Sequence, residues 1–226
     1  MRGLLITGTD TGVGKSIVTA SLAAAMRAAG EQVRAHKPVV TGLEEGPPDG
    51  PWPADHELLA LAAGMSPGDV SPLLYGPAVS PHLAAEMAGE EIDPPRVIAA
   101  ARAAGATGTV LVEGVGGLLV PFTASFSVLD LACALGLPVV IVARTGLGTI
   151  NHTLLSLHAA RRAGLEVAAV VMTPWPDQPT EMELSNRESV GEIGQVQVCR
   201  LPHLPGPEAL AGAGGELPWR RWLHAC

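Results

Sequence analysis

Six short apolar runs, Leu4–Thr7, Gln32–Lys37, Thr109–Glu113, Pro138–Ala143, Glu166–Met172 and Val196–Leu201, set the tightest limit on how this chain can fold. Runs such as Leu4–Thr7 and Pro138–Ala143 are apolar without alternation, the signature of strands buried on both faces. Ala- and Leu-rich segments of helical length separate them, near 15–29, 55–64, 82–89, 94–104, 127–135, 150–163 and 180–193. Strands that alternate with helices in this way form a mostly parallel sheet covered on both sides. The expected architecture is a doubly wound α/β fold, with residues 1–226 as a single domain. In such sheets ligands bind at the carboxyl ends of the strands.

A hydrophobic content of 47% is enough for a packed core. Fourteen Lys and Arg against 22 Asp and Glu leave a net charge of −8, without the positive footprint that nucleic-acid binding needs. Any phosphate-bearing ligand must then be held by a local device. The cysteines, Cys133, Cys199 and Cys226, are far apart and odd in number, which suits a reducing, cytoplasmic setting. The apolar run at the N-terminus is too short for a signal peptide, and residues 128–143 are interrupted by Asp130, Gly136 and Pro138, so no membrane span is expected. The seven histidines show no metal-ligand spacing, and no nucleophile–His–acid pattern stands out. Residues 43–54 read as neither helix nor strand, and 205–226 as terminal packing without a function of their own.

The first strand runs into Gly8-Thr9-Asp10-Thr11-Gly12-Val13-Gly14-Lys15-Ser16 and then a helix. This strand–turn–helix context suits a phosphate-binding loop: backbone N–H groups cradle phosphates, Lys15 reaches the terminal ones, and the Ser16 hydroxyl can ligate Mg²⁺. The standard spacing is not quite kept, because Thr9 takes the first glycine's place. Lys37-Pro38-Val39-Val40-Thr41-Gly42 ends the second strand. Lys37 there is either a second cation for developing charge or a surface lysine, and Thr41 either donates a hydrogen bond or closes a turn. Glu113 ends a buried strand before Gly114-Val115-Gly116-Gly117, a suitable place for a carboxylate ligand of Mg²⁺. Asp55 opens a helix, as a second such ligand or as its cap. Leu147-Gly148-Thr149-Ile150-Asn151-His152 reads unaided as a helix start whose polar residues cap, although its amides could also capture a carboxylate.

Together with Ser80-Pro81-His82 and Glu113–Pro121, these blocks resemble, in order, the dethiobiotin synthetase family. The resemblance implies a P-loop NTPase-like three-layer fold. It implies a ligase of biotin biosynthesis that closes the ureido ring of dethiobiotin from 7,8-diaminononanoate, bicarbonate or CO₂ and ATP, through a carbamate and a carbamic–phosphoric anhydride. It also assigns residues. Lys37, Lys15 and Thr11 are catalytic. Ser16, Asp55 and Glu113 hold Mg²⁺. Thr11, Lys37, Thr41, Leu147, Gly148 and Asn151 contact the substrate, the last group across a homodimer interface. Nucleotide contacts fall to Gly12, Val13, Gly14, Lys15, Ser16, Ile17, Asp55, Glu113, Gly114, Val115, Gly116, Thr173, Pro174, Leu201, Pro202 and His203. Thr173-Pro174 stands where the family commonly has Asn-Asp, so one hydroxyl replaces an amide fork, leaving room for another triphosphate such as CTP. The alternatives are a nucleotide-gated switch ATPase, whose signature lysine corresponds to Asp10 here, and another P-loop amide ligase.

Overall fold

The computed structural model describes residues 1–45 and 52–223. The elements, in chain order, begin with β1 (Gly3–Gly8), α1 (Lys15–Ala28), β2 (Val33–His36), β3 (Val39–Val40), α2 (Asp55–Ala63), α3 (Pro67–Val70) and β4 (Leu73–Leu74). Next come α4 (Pro81–Met87), α5 (Pro94–Ala104), β5 (Thr109–Gly117), β6 (Pro121–Thr123), β7 (Phe126–Ser127), α6 (Val128–Leu135) and β8 (Val139–Ala143). The chain ends with α7 (Thr149–Arg162), β9 (Val167–Trp175), α8 (Glu181–Gly194), β10 (Val198–Pro202), α9 (Leu210–Gly215) and α10 (Trp219–Trp222). All six expected strands and all seven expected helices form. The strands make one sheet in the order β10-β9-β8-β1-β5-β2, and every pairing in it is parallel.

Burial on both faces explains the continuous apolar runs. In β1, Leu4 and Ile6 enter the core under α1 and α2, while Leu5 enters the opposite core. In β8, Val140 and Val142 face the first core, and Val139 and Ile141 face the second. The edge strands differ: β2 and β10 each leave residues partly exposed, and these are the two runs that mix polar with apolar residues. Central β1 has β5 on one side and β8 on the other, and the chain crosses from one side to the other after β5. The crevice at that reversal, over the carboxyl ends of β1, β5 and β2, is where an α/β sheet places its ligand.

The chain after β10 returns to α1. Trp219 and Trp222 are buried in the core beneath α1 and α2. Helix α9 crosses α1 so closely that a Cβ on Gly214 would lie 1.9 Å from the Ser21 carbonyl oxygen. Its sequence, Leu-Ala-Gly-Ala-Gly-Gly, has poor intrinsic helix propensity, so tertiary packing holds the helix and its pattern is silent in the sequence. The terminal segment up to Leu223 is packing, as expected.

Within the irregular stretch, Leu43–Glu45 form a 3₁₀ turn instead of open loop, held by Leu43 N–H and Glu44 N–H donating to Tyr75 and Gly76 carbonyls. Trp52 packs against the core, and residues 46–51 lie outside the described residues. No helix among the described residues is long and apolar enough to cross a membrane.

Gly214→Ala should cost about 1–3 kcal/mol in denaturant unfolding, because the new methyl meets backbone that cannot swing aside. Gly215→Ala, where nothing lies within 4 Å of the added methyl, should be neutral or slightly stabilising.

Candidate active site

The loop between β1 and α1 turns on Gly14, whose φ of 92° lies in the left-handed region. A side chain there would also strike Thr173, since a Cβ would come 2.7 Å from its Cγ2. No side chain caps α1 and no acidic residue lies in its first turn, so its N–H groups face the crevice without a competing anion. Lys15 is buried, and its Nζ donates to the Asp10 carbonyl at 3.0 Å, which folds the side chain back over the loop. Burial lowers its pKa; Glu113 opposes that shift, and nearby Lys37 reinforces it.

Lys37 follows the last residue of β2, and its backbone N–H donates to Val70 O at 2.9 Å. It is 5% exposed, so it is an interior cation and not a surface lysine. Its Nζ donates to Glu113 Oε1 at 2.8 Å and pairs with Asp55 Oδ2. Burial works against the charge, but Glu113 and Asp55 outweigh it and hold the ammonium above the ordinary lysine pKa. At Asp55 burial likewise opposes ionisation, and Lys37 overcomes it, keeping this pKa below the usual carboxylate value.

Asp55 does not cap α2. Ala54 holds that position, its N–H is taken by Glu57 Oε2 at 3.2 Å, and the Asp55 carboxylate turns to Lys37 instead. Glu113 is 0% exposed; its Oε1 also accepts from Ser16 Oγ at 2.8 Å, while its Oε2 is buried with no partner among the described residues. Two carboxylates and one hydroxyl thus converge from three elements. Among the described residues no three His, Cys, Asp or Glu side chains form a metal cluster. This oxygen set suits a cation that brings its remaining ligands as water and phosphate, which is how Mg²⁺ binds nucleotides.

A cleft of about 360 Å³ opens over the cluster. Its polar wall holds Thr11, Gly12, Gly14, Lys15, Ser16, Lys37, Thr41, Asp55 and Gly116, all expected from the sequence, and Val115 and Ile17 complete the expected set. Trp52, Pro53 and Leu58 form an apolar wall that sequence reasoning missed. Other expected residues stand apart from this cleft. Val13 and Leu201 place their side chains in the core, leaving only backbone for a ligand. Gly114 is packed under Val128 of α6. Thr173 is buried with its methyl toward Gly14, and Pro174, Pro202 and His203 are exposed at the ends of β9 and β10.

Leu147, Gly148 and Asn151 are exposed at the start of α7, which no side chain caps, so Asn151 is free of that alternative role. Their loop is pinned from α8, where Asn186 Nδ2 donates to Thr145 O at 2.9 Å and Glu183 accepts from Thr145 Oγ1 at 3.1 Å. Nothing in the pattern around Asn186 marks it for that task. The assembly can hold a triphosphate on the α1 amides, neutralise it with two lysines, and seat a cation among hard oxygens. Those are the requirements of phosphoryl transfer.

Comparison with known proteins agrees with this chemistry. Residues 2–209 match a family model described as an AAA domain. An ATP-dependent dethiobiotin synthetase BioD of Anaeromyxobacter dehalogenans (strain 2CP-1 / ATCC BAA-258) is 47% identical over 91% of this chain and 92% of its own. The proteins of that name from Mycobacterium sp. (strain JLS) and Haloferax mediterranei are 41% and 38% identical, over 96% and 97% of this chain and 91% and 93% of their own. The cell division ATPase MinD of Pyrococcus furiosus shares the fold at a TM-score of 0.57 and 16% identity, covering 99% of this chain and 98% of its own. A ParA family ATPase from Chlorobium tepidum does so at 0.52 and 15%, covering 95% and 89%.

Because Lys37 is interior, its truncation has a structural consequence: Lys37→Ala leaves Glu113 buried without its cation. It should cost about 3–5 kcal/mol in metal-free denaturant unfolding; a loss under about 1 kcal/mol would mean that the pair is not buried in solution.

Proposed function

The chain belongs to the ATP-dependent dethiobiotin synthetase family, and from that membership we propose how its site performs the family's reaction. The reaction closes the ureido ring of dethiobiotin from 7,8-diaminononanoate, CO₂ and ATP, a ligase step in biotin biosynthesis. One amine adds to CO₂ and loses a proton to give a carbamate. A carbamate oxygen attacks the γ-phosphorus and ADP leaves. The second amine attacks the carbonyl carbon of the resulting anhydride, phosphate leaves, and the ring closes.

The observation that carries this reading is the meeting of two interior lysines with Ser16, Asp55 and Glu113 at one phosphate loop. Lys15 and the uncapped amides of α1 hold the triphosphate. Lys37 faces the same cleft and steadies the negative charge of the carbamate and of the migrating phosphoryl group. Ser16, Asp55 and Glu113 would hold Mg²⁺, and the unpartnered Glu113 Oε2 supports that assignment. When bound, the cation would neutralise phosphate oxygens. Thr11 and Thr41 orient the diamine with their hydroxyls.

Leu147, Gly148 and Asn151 would receive the substrate's carboxylate in the partner protomer of a homodimer, which accords with their exposure at the start of α7. The base would lie near Thr173, Pro174 and Leu201–His203, at the ends of β9 and β10. On this reading residues 1–226 work as one domain in the cytoplasm. No feature of the site favours a nucleotide-gated switch: Asp10 replaces the signature lysine, and its carboxylate is occupied by Arg144 and by the Thr11 N–H at 2.7 Å.

The test is dethiobiotin formation, followed by mass spectrometry, from the diamine, bicarbonate and Mg²⁺ with ATP, CTP, GTP and UTP in parallel. Product should form with ATP. The other triphosphates should fall within about tenfold of it, because loss of an amide fork removes about 1–1.5 kcal/mol of base discrimination. No product with any of the four would overturn the reading.

A further inference from the structure

We propose that Lys37 has a second task beyond catalysis: its ammonium holds the metal's place between Asp55 and Glu113 in the nucleotide-free protein, and the arriving divalent cation displaces it. The inference rests on the reading of Ser16, Asp55 and Glu113 as metal ligands.

Three observations carry it. First, the Lys37 ammonium sits on both of the carboxylates that would bind the metal, and Glu113 Oε1, the oxygen it touches at 2.8 Å, is the one that also accepts from Ser16. Both carboxylates are therefore already held by a cation that is a side chain, with the Ser16 hydroxyl bonded to one of them. Second, Glu113 has no exposed surface, so its charge needs a close counter-ion in every state of the protein. Without metal, only Lys37 is in ion-pair contact with it among the described residues. Third, Lys37 lines the cleft, so an ammonium released from the carboxylates moves toward bound substrate and not into the core. Glu113 Oε2 is open to the metal, but an ammonium on Oε1 of that same buried carboxylate would face a divalent cation across it and be repelled. The two therefore exclude one another, and Lys37 keeps the site assembled until it is needed elsewhere.

The consequence is antagonism between Lys37 and the metal. Mn²⁺ binding to the nucleotide-free protein, read from the loss of the free-ion EPR signal, should be at least tenfold tighter in Lys37→Met than in the wild type. Equal or weaker binding by the variant would overturn the inference. Added Mg²⁺ should raise the melting temperature of Lys37→Met and leave that of the wild type nearly unchanged.

Since the variant can lose too much stability to fold without metal, a wild-type measurement stands beside it. With ¹⁵N-labelled lysine, the Lys37 ammonium resonance should shift or vanish as Mg²⁺ and a non-hydrolysable ATP analogue are added. A resonance that persists unchanged while Mn²⁺ binds in the parallel experiment would refute displacement. Failure of the metal assignment itself looks different, because then the protein would not tighten Mn²⁺ binding beyond that of ATP alone.

Discussion

A buried ion pair at the floor of the cleft organises everything around it. Glu113 lies in the buried part of β5, and Lys37 leaves the end of the neighbouring strand β2, so parallel pairing between these strands delivers the two charges side by side. The dependence is strongest for Glu113, which without Lys37 would be a buried charge with no counter-ion in contact among the described residues, whereas Lys37 also holds Asp55. Asp55 at the start of α2 and Ser16 at the start of α1 join the same pair, and so bind two helices to the strand ends electrostatically. Core packing fixes where these helices lie; the charged cluster ties their first turns to the strand ends.

The catalytic layout follows from that constraint. A sheet whose central strand is flanked on both sides by later strands gathers its loops at the carboxyl ends of those strands, and here these loops bring together an uncapped helix start, two lysines and a set of side-chain oxygens. Phosphoryl transfer asks a protein mainly for position and charge balance. The two lysines and two carboxylates of the cluster sum to no net charge, and a triphosphate with its cation can enter by exchanging partners within it. The far edge of the sheet is chemically different. The ends of β9 and β10 present the Thr173 methyl, Pro174, Pro202 and His203 instead of charged or amide side chains.

Much of this was legible in the sequence. Continuous apolar runs announced the strands of a sheet covered on both faces, and Gly14-Lys15-Ser16 announced the phosphate loop because only a left-handed turn lets α1 begin there. The burial of Lys37 was not legible. A lysine at a strand end reads the same whether it snorkels to water or turns inward, and only the packing of α2, which brings Asp55, separates the two. Asp55 likewise reads as either a ligand or a helix cap until Ala54 is seen at that position. Trp52 and Pro53 reach the cleft from an irregular stretch without periodicity, and Asn186 acts through a loop some 40 residues away in sequence. Such contacts are made by tertiary structure, and local pattern holds no trace of them.

The claim at the centre of this account is that Lys37 and Glu113 stabilise the protein as a pair and not as two independent groups. A double-mutant cycle of Lys37→Met, Glu113→Leu and the combined variant, measured by denaturant unfolding without metal, tests it most directly. Lys37→Met should be severely destabilising, Glu113→Leu less so because Lys37 keeps Asp55, and the double variant should recover most of the Lys37→Met loss, since Glu113 is then not buried alone. Additive losses in the double variant would contradict the account.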